Sequence, residues 1–378
     1  MFVPGAFPGD RVIPLSVHDR GSWGRATAWN LDESSPERRT PACEYAERCG
    51  GCDWMAWSRE AQIQGKQAVV VDAMRRTGGI EVAAPSILAP GPELGWRGRV
   101  RLTVTDDGAE IGFVARGSHD VVPIERCVVA TDGVNEGITR VRELAREGAL
   151  HGVASVELRS APRGAPVVAR AHMRERGTRP PVELTRRLPA GFQAWPLPRD
   201  VVLEASPESF TQVHDEGNLS LVDLVLAGVG EGEGCVVDAC CGAGNFTLPL
   251  MATHRRVRAF DQSRAAIADL RRSAEAQGLV AEDIRVARME AELRRLAQTR
   301  LPVDAVVLDP PRSGAKAALP ALLRLAPARI VYVACDPVSL ARDTKSLVKG
   351  GYSLEALSCV DLFPQTHHVE SVAVFVKK

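Results

Sequence analysis

Residues 330–343 read IVYVACDPVSLARD, an apolar run that ends in a cysteine, an aspartate and a proline. Five consecutive apolar residues are typical of a parallel strand that is covered on both faces. Pro337 lacks a backbone donor and ends such a strand, so Cys335 is predicted at its carboxyl end. Open α/β sheets bind ligands at that edge, although a lone cysteine is more often a small buried hydrophobe than a nucleophile.

Around this stretch, the sequence alternates between strand and helix patterns from residue 205 to the end. The predicted strands are 235–239, 257–260, 303–308, 330–334, 356–360 and 371–376, and residues 263–277 are a predicted helix. This alternation predicts an α/β fold with a doubly wound, mostly parallel sheet over residues 205–378.

The first 204 residues have a different pattern and divide into two predicted regions. Residues 1–40 contain short β-like pieces, too few to close a barrel, and residues 41–204 are rich in strand and turn signals. Within the second region, Ser58 is a predicted cap for a helix over residues 58–76. Residues 99–105 and 110–114 are predicted to form a β-hairpin.

The bulk properties of the chain exclude few functions. Its 47 basic and 47 acidic residues cancel, so net charge argues neither for nor against a nucleic-acid partner. The amino terminus lacks a basic start with a long apolar core, and no window is apolar for long enough to span a bilayer. We therefore expect a cytoplasmic protein with no membrane partner.

Residues 238–246 read DACCGAGNF and follow the first predicted strand of the α/β region. Glycines in such a turn let the backbone approach a ligand closely. Asp261, at the end of the next strand, can bind both hydroxyls of a ribose, although taken alone it is equally a helix cap. The spacing of a dinucleotide site is absent, which favours a ligand without a pyrophosphate, such as S-adenosylmethionine.

Nine cysteines are present, and three of them lie within residues 43–52. Together with the isolated Cys127, they offer four thiolates, which suit either tetrahedral zinc or an iron–sulfur cluster. The spacing alone leaves that choice open. The pattern is typical of metal binding in a reducing compartment rather than of a disulfide framework.

Taken together, these motifs resemble those of the RNA uracil-5 methyltransferases, the family that makes 5-methyluridine in transfer and ribosomal RNA. The resemblance spans nearly the whole chain. The motifs that carry it are C-x5-C-G-G-C at 43–52, SFTQV at 209–213, residues 238–246, DPPRSG at 309–314, ACDP at 334–337 with ARD at 341–343, and FP at 363–364 with HVE at 368–370.

The resemblance implies a Rossmann-like class I S-adenosylmethionine-dependent methyltransferase domain over residues 205–378. It implies that Cys335 is the nucleophile, Glu370 the general base, and Asp309 a residue at the junction of substrate and cofactor. The cofactor contacts that it implies are Gln212, Cys240, Asn245, Asp261 and Asp309.

For residues 41–204, the resemblance implies a 4Fe-4S cluster bound by Cys43, Cys49, Cys52 and Cys127, because family members with this cysteine pattern carry one. Full ligation leaves no open iron, so the cluster is expected to act in folding or RNA positioning. Residues 1–40 resemble the latter part of the TRAM module, an OB-like β-barrel that binds RNA. RNA is the expected partner of a monomeric protein; the cluster-bearing relatives favour 23S ribosomal RNA, and transfer RNA stays open.

The chemistry of uracil explains why these residue types are needed. C5 is a poor nucleophile until a thiolate adds to C6, so the site is expected to favour the Cys335 thiolate, with the donor's positive charge and Arg312 available to stabilise it. A carboxylate must then remove the C5 proton. The target base must also leave its stack, and Phe363, His367 and His368 are candidates to contact it. Arg97, Arg99 and Arg101 share one face of a strand and are candidates for phosphate contacts.

Two other functions fit parts of the sequence. A nucleic-acid amino methyltransferase has a motif like Asp309-Pro310-Pro311, but it needs no cysteine nucleophile. A non-catalytic iron–sulfur RNA-binding protein on a methyltransferase scaffold would not bind S-adenosylmethionine.

Overall fold

The computed structural model describes residues 1–162, 164–232, 234–253, 256–299 and 301–378. At the amino terminus, strands β1 (Arg11–Asp19) and β2 (Gly24–Glu33) pair as an antiparallel hairpin. This hairpin is a sheet of two strands, so the short β pieces predicted here are confirmed.

Helix α1 (Arg59–Ala73) begins directly after its predicted cap. The Ser58 hydroxyl accepts a hydrogen bond from a backbone N–H of the first turn, which would otherwise lack a partner. The predicted end of the helix is a π-helical turn over Met74–Gly78, which Gly79 ends with a φ of +66°. Strand β3 (Ser86–Leu88) follows.

An antiparallel sheet forms the body of the central region. Its elements are β4 (Arg99–Val104), β5 (Ile111–Val114), β6 (Val121–Pro123), α2 (Asp132–Arg146), β7 (Val153–Arg159) and β8 (Val168–Met173). The strand order is β6-β5-β4-β7-β8, and β4 and β5 form the predicted hairpin. Helix α2 was not predicted; the helical spacing of the buried Val134, Ile138 and Val141 is the signal that reveals it.

A larger sheet occupies the carboxyl-terminal half. In chain order the remaining elements are α3 (Val182–Arg187), β9 (Gln193–Leu197), β10 (Val201–Ala205), α4 (Asp215–Val229), β11 (Cys235–Ala239), α5 (Thr247–Thr253), β12 (Arg256–Asp261), α6 (Arg264–Ala276), β13 (Asp283–Val286), α7 (Met289–Gln298), β14 (Ala305–Leu308), α8 (Leu319–Leu325), β15 (Arg329–Ala334), α9 (Pro337–Lys349), β16 (Tyr352–Val360) and β17 (Glu370–Lys377).

The larger sheet has the strand order β13-β12-β11-β14-β15-β17-β16-β3. The five neighbouring strands β13, β12, β11, β14 and β15 are parallel, and β17 runs antiparallel to both of its neighbours. Two apolar cores cover its two faces, so the predicted α/β fold is confirmed. Strand β3, which precedes the central sheet in sequence, also joins this sheet by pairing with β16. The predicted boundary between residues 204 and 205 stays a prediction.

Strands β11, β14 and β15 end side by side at one edge of this sheet, where Ala239 pairs with Leu308 and Leu308 with Tyr332. The antiparallel β17 begins at the same edge, with Ser371 opposite Ala334. The residues that directly follow β11, β14 and β15 therefore lie at the same edge of the sheet as Glu370, the first residue of β17. No helix in the described ranges combines the length and the apolar character needed to cross a membrane.

Candidate functional site

A cavity of about 1150 Å³ opens at this edge of the large sheet. It is lined by every residue that the sequence assigned to catalysis or to cofactor binding: Gln212, Cys240, Asn245, Asp261, Asp309, Cys335 and Glu370. Phe210, Arg312, Phe363 and His368 line it too. We call this cavity the catalytic pocket.

Cys335 and Glu370 face each other across the edge of the sheet. Cys335 directly follows β15, and Glu370 is the first residue of β17, next to the paired residues Ala334 and Ser371. The carboxylate of Asp336 accepts hydrogen bonds from backbone N–H groups of the first turn of α9. It therefore caps that helix and does not turn toward the thiol.

The catalytic pocket is acidic, and it disfavours the thiolate. Burial, followed by the nearby Glu370 and Asp309, raises the pKa of Cys335 to about 11, although Arg312 opposes the shift. Burial and Asp309 raise the pKa of Glu370 well above its ordinary range. Without a bound donor the pocket therefore does not favour the thiolate, and the expectation that the donor's positive charge makes the site favour it stays a prediction. A cation bound in the pocket would lower both pKa values, because it stabilises the charged forms.

The raised pKa predicts slow alkylation of Cys335 at neutral pH. Below its pKa, the thiolate fraction and hence the rate rise about tenfold for each pH unit. Iodoacetamide should therefore modify Cys335 about 100-fold faster at pH 9 than at pH 7, and the rate should still climb toward pH 10. Mass spectrometry of the peptide that contains Cys335 measures this rate, with glutathione as the reference thiol. A plateau by pH 8 would show a lowered pKa instead.

The turn after β11 is shaped to admit a ligand. At Gly244, with a φ of +104°, an added Cβ would lie 2.5 Å from Cδ1 of Leu270, so only glycine fits. At Gly242 an added Cβ would meet no protein atom within 4 Å, which leaves room beside the backbone. The predicted glycine turn therefore fits close approach of a cofactor.

Asp261 holds this turn in place and lines the catalytic pocket. Its carboxylate accepts hydrogen bonds from the backbone N–H of Gly242 at 3.1 Å and of Ser263 at 2.7 Å. The side chain of Ser263 caps α6, so Asp261 is not the helix cap. The Asn245 side chain is paired in both directions with Asn218 at 2.8 Å, which uses the amide oxygen and one amide N–H of Asn245.

Arg312 and His368 form a contact at the mouth of the pocket. The two nitrogens, Nη2 of Arg312 and Nε2 of His368, lie 3.3 Å apart. Burial, followed by His367 and Arg312, lowers the pKa of His368 to about 4, so its ring is neutral at pH 7 and accepts from Arg312. His367 instead contacts Asp53 at 2.5 Å. Phe363 and His368 line the pocket, and His367 does not.

Asp343 supports the loop that follows β14, a role that was not predicted from its motif. Its buried carboxylate accepts hydrogen bonds from the Tyr332 hydroxyl at 2.8 Å and from the Ala315 N–H at 2.7 Å. Gly314, with a φ of +75°, lets the chain pass close to this carboxylate. The loop that carries Asp309 and Arg312 is thereby tied to β15 and α9.

A second cavity, of about 570 Å³, is lined by all four predicted cluster ligands, Cys43, Cys49, Cys52 and Cys127. Burial, followed by Cys127, raises the pKa of Cys52 to about 12. All nine cysteines are described and free of disulfide bonds. Across the described residues, no three Cys, His, Asp or Glu side chains are arranged to hold a metal ion. The four thiols share one cavity, which we call the cysteine cavity. That they bind a metal cluster there stays a prediction.

One wall separates the two cavities. Arg97, Arg99 and Phe210 line both, and the Arg99 guanidinium lies 4.5 Å from the centre of the Phe210 ring. Arg101 contacts Glu157 at 3.1 Å. Phosphate binding by these arginines stays a prediction.

Comparison with known proteins gives matches over part and over all of the chain. A family profile described as tRNA (Uracil-5-)-methyltransferase matches residues 197–378. A protein from Pseudomonas putida named 23S rRNA (uracil(1939)-C(5))-methyltransferase RlmD is 32% identical, over 99% of this chain and 88% of its own. A protein of the same name from Shewanella woodyi is 31% identical, over 99% and 90%.

A solved structure is also similar over the full length. The tRNA (uracil-54, C5)-methyltransferase of Pyrococcus abyssi, in complex with S-adenosyl-L-homocysteine, superimposes with a TM-score of 0.77 and 25% identity. The match covers 99% of this chain and 95% of that one. The likeness therefore includes the amino-terminal hairpin and the central sheet as well as the large sheet.

Proposed function

The chain belongs to the RNA uracil-5 methyltransferase family, and on that premise we propose that Cys335 and Glu370 carry the reaction in the catalytic pocket. The enzyme transfers a methyl group from S-adenosylmethionine to C5 of a uridine in RNA, on the class I methyltransferase fold. The observation that carries the assignment is the meeting of Cys335 and Glu370 at the edge of the sheet, beside the glycine turn.

Cys335 activates the base. Its thiolate adds to C6, and the electron pair of the C5–C6 double bond moves onto the C4 oxygen, so that C5 becomes nucleophilic. S-adenosylmethionine would supply a methyl group on a positively charged sulfur: C5 attacks the methyl carbon, the methyl–sulfur bond breaks with its electron pair left on sulfur, and neutral S-adenosylhomocysteine leaves. That positive charge also offsets the acidity of the pocket and so favours the Cys335 thiolate. Asp261, Gln212 and the backbone at Gly242 line the space that this ligand would fill, and Asp309, which lines the same pocket, is assigned to the junction of ligand and base.

Glu370 completes the reaction. Its carboxylate takes the C5 proton, the C5–C6 double bond forms again, and the bond from C6 to the Cys335 sulfur breaks to release a thiolate. The raised pKa of Glu370 makes its ionised form a stronger base than an ordinary carboxylate. Once Cys335 is bonded to carbon, it no longer repels the Glu370 carboxylate, so ionisation of Glu370 is easier at the stage that requires it.

We infer that the substrate is 23S ribosomal RNA. The relatives with that printed activity align over 99% of this chain, and transfer RNA is the second candidate because of the full-length structural match. The hairpin of β1 and β2 is interpreted as a reduced TRAM-like module. A monomer acting in the cytoplasm fits these assignments.

Mapping of the product tests the substrate. Purified enzyme and S-adenosylmethionine are incubated with ribosomal RNA and with transfer RNA, both isolated from cells that lack 5-methyluridine. Mass spectrometry of nuclease digests should find 5-methyluridine at one site in 23S RNA. If 5-methyluridine appeared in transfer RNA alone, transfer RNA would be the substrate. A methylated exocyclic amine would exclude the uracil-5 assignment.

We further propose that Cys43, Cys49, Cys52 and Cys127 hold a 4Fe-4S cluster. Three thiols from residues 43–52 and a fourth from the distant Cys127 line one cavity, which is a donor set that suits iron–sulfur clusters. Gly51 N–H donates to Cys49 Sγ at 3.4 Å, a contact that stabilises a thiolate ligand. The cluster is assigned to folding and RNA positioning, and no step of the reaction passes through it.

Cys127→Ser should remove most of the iron and the acid-labile sulfide from protein purified without oxygen. Both are expected in equal amounts in the wild-type protein, because a 4Fe-4S cluster contains them in that ratio. Cys235→Ala is the matched control, since Cys235 is buried in the core of the large sheet. Zinc without sulfide in the wild type would contradict the cluster.

A further inference from the structure

The loop of residues 361–369 connects β16 to β17 and so leads directly into Glu370. It also supplies Phe363 and His368 to the catalytic pocket. Most of the loop is buried, with Asp361 and Leu362 fully inaccessible and Gln365 1% exposed. Glu370 is paired with Val360 in the sheet, and the loop joins it directly on its amino-terminal side, so the loop conformation contributes to where the proposed base lies. We call this segment the base loop.

The start of the base loop is held by a lysine from α1. Lys66 Nζ donates to Asp361 Oδ1 at 2.5 Å and to the Phe363 carbonyl at 3.0 Å. The side chains of Lys66 and Asp361 are both completely buried. Arg59, at the start of α1, donates to the other carboxylate oxygen of Asp361. A buried charge pair that also binds backbone fixes geometry more tightly than apolar packing does.

The middle of the base loop is held by the same helix. Gln365 has a φ of +69°, a region that non-glycine residues occupy only when their surroundings enforce it. Its backbone N–H donates to Gln62 Oε1 at 2.9 Å, and its side-chain oxygen accepts from Gln62 Nε2 at 3.0 Å. Its carbonyl accepts from Trp54 N–H at 3.0 Å, and its amide donates to Glu93 at 3.0 Å.

The end of the base loop is bound to the segment between the cysteine motif and α1. Asp53 accepts from the His367 backbone N–H at 3.2 Å and contacts its ring at 2.5 Å. Asp53 directly follows Cys52 in sequence. The base loop is thus held at three points by residues far away in sequence, namely Lys66, Gln62 and Asp53. None of these three residues lines the catalytic pocket.

We propose that Lys66 is a positioning residue, which places the base Glu370 by holding the base loop against α1. Lys66 lines neither cavity, so it has no direct route to the substrate. This inference rests on the role of Glu370 proposed above. Misplacement of a catalytic group by about 1 Å can cost about 100-fold in rate.

The proposal predicts loss of one step only. In Lys66→Met the thiolate addition and the methyl transfer should continue, because Cys335 directly follows β15 and is not part of the base loop. Removal of the C5 proton should slow, so an SDS-stable complex of protein and ordinary uridine-containing RNA should accumulate. We expect turnover to fall by about 10-fold to 100-fold.

The experiment compares Lys66→Met with Gln64→Met, an exposed position on the same helix. Denaturing gels measure the complex with uridine-containing RNA, and a second RNA carries 5-fluorouridine, which has no C5 proton to lose. Lys66→Met should trap the first RNA while cross-linking to the second at the wild-type level. Asp361 keeps Arg59 as its partner in this variant, which favours folding.

Gln365→Gly is the second variant, and it decides the question if Lys66→Met does not fold. Glycine accepts the φ of +69°, while the side-chain contacts to Gln62 and Glu93 disappear. The same trapping is expected. Wild-type turnover in either folded variant overturns the proposal, as does equal loss of turnover and of the 5-fluorouridine cross-link. Absence of that cross-link in the wild type contradicts the proposed function itself, and the positioning role then falls with it.

Discussion

Cys335→Ala will abolish methylation of RNA, with kcat/KM lower by about 10⁴-fold or more, because alanine offers no atom to add to C6. The methyl group cannot then be accepted at C5, since the ring is never activated. Methyl transfer from labelled S-adenosylmethionine to RNA measures the loss.

Cys335→Ser is the matched control for this prediction, because it keeps the volume and polarity of the side chain. It should also be inactive, since a hydroxyl ionises far less readily than a thiol. Both variants should bind S-adenosylhomocysteine as tightly as the wild type does. If Cys335→Ala kept a tenth of the activity, the covalent route would be excluded and an amino methyltransferase favoured.

Glu370→Gln should stop the reaction at a later point. Glutamine has nearly the same shape but cannot accept the C5 proton, so turnover should fall by about 10²-fold to 10⁴-fold. The covalent complex of Cys335 with methylated RNA should accumulate on ordinary RNA and survive SDS. Gel electrophoresis with labelled RNA detects it.

The double variant Cys335→Ala with Glu370→Gln provides the control, since it should give no complex at all. A Glu370→Gln variant that lost turnover without trapping RNA would show that Glu370 acts before the thiolate adds. Normal turnover would remove Glu370 from the mechanism.

The large sheet was predictable because its strands are short apolar runs separated by amphipathic helices. The run at 330–334 and the proline after Cys335 gave both the strand and its end, and the structure has β15 at Arg329–Ala334. The carboxyl ends of neighbouring parallel strands lie at one edge of a sheet, and this rule places Asp261, Asp309 and Cys335 in one pocket. Their roles rest on the family, because strand ends alone do not identify a chemistry.

Other features could not be predicted, because they depend on contacts between distant parts of the chain. The pairing of β3 with β16 joins a three-residue strand to one that lies 272 positions later, as in the pair of Ser86 with Ser358, and three residues carry no clear pattern. The contact of Lys66 with Asp361 spans 295 positions. The pKa of Cys335 depends on burial and on Glu370, neither of which the local sequence shows.

The central claim is that Cys335 bonds to C6 of the target uridine, and one measurement tests it most directly. RNA that carries 5-fluorouridine at the target position is incubated with the enzyme and S-adenosylmethionine, digested with protease and nuclease, and analysed by mass spectrometry. After methyl transfer, fluorine and methyl occupy C5, no proton can be removed, and the bond to sulfur persists. The account predicts a methylated fluorouridine nucleotide on the peptide that contains residue 335. Methylation of ordinary RNA with no such conjugate, or with one at another residue, would contradict it.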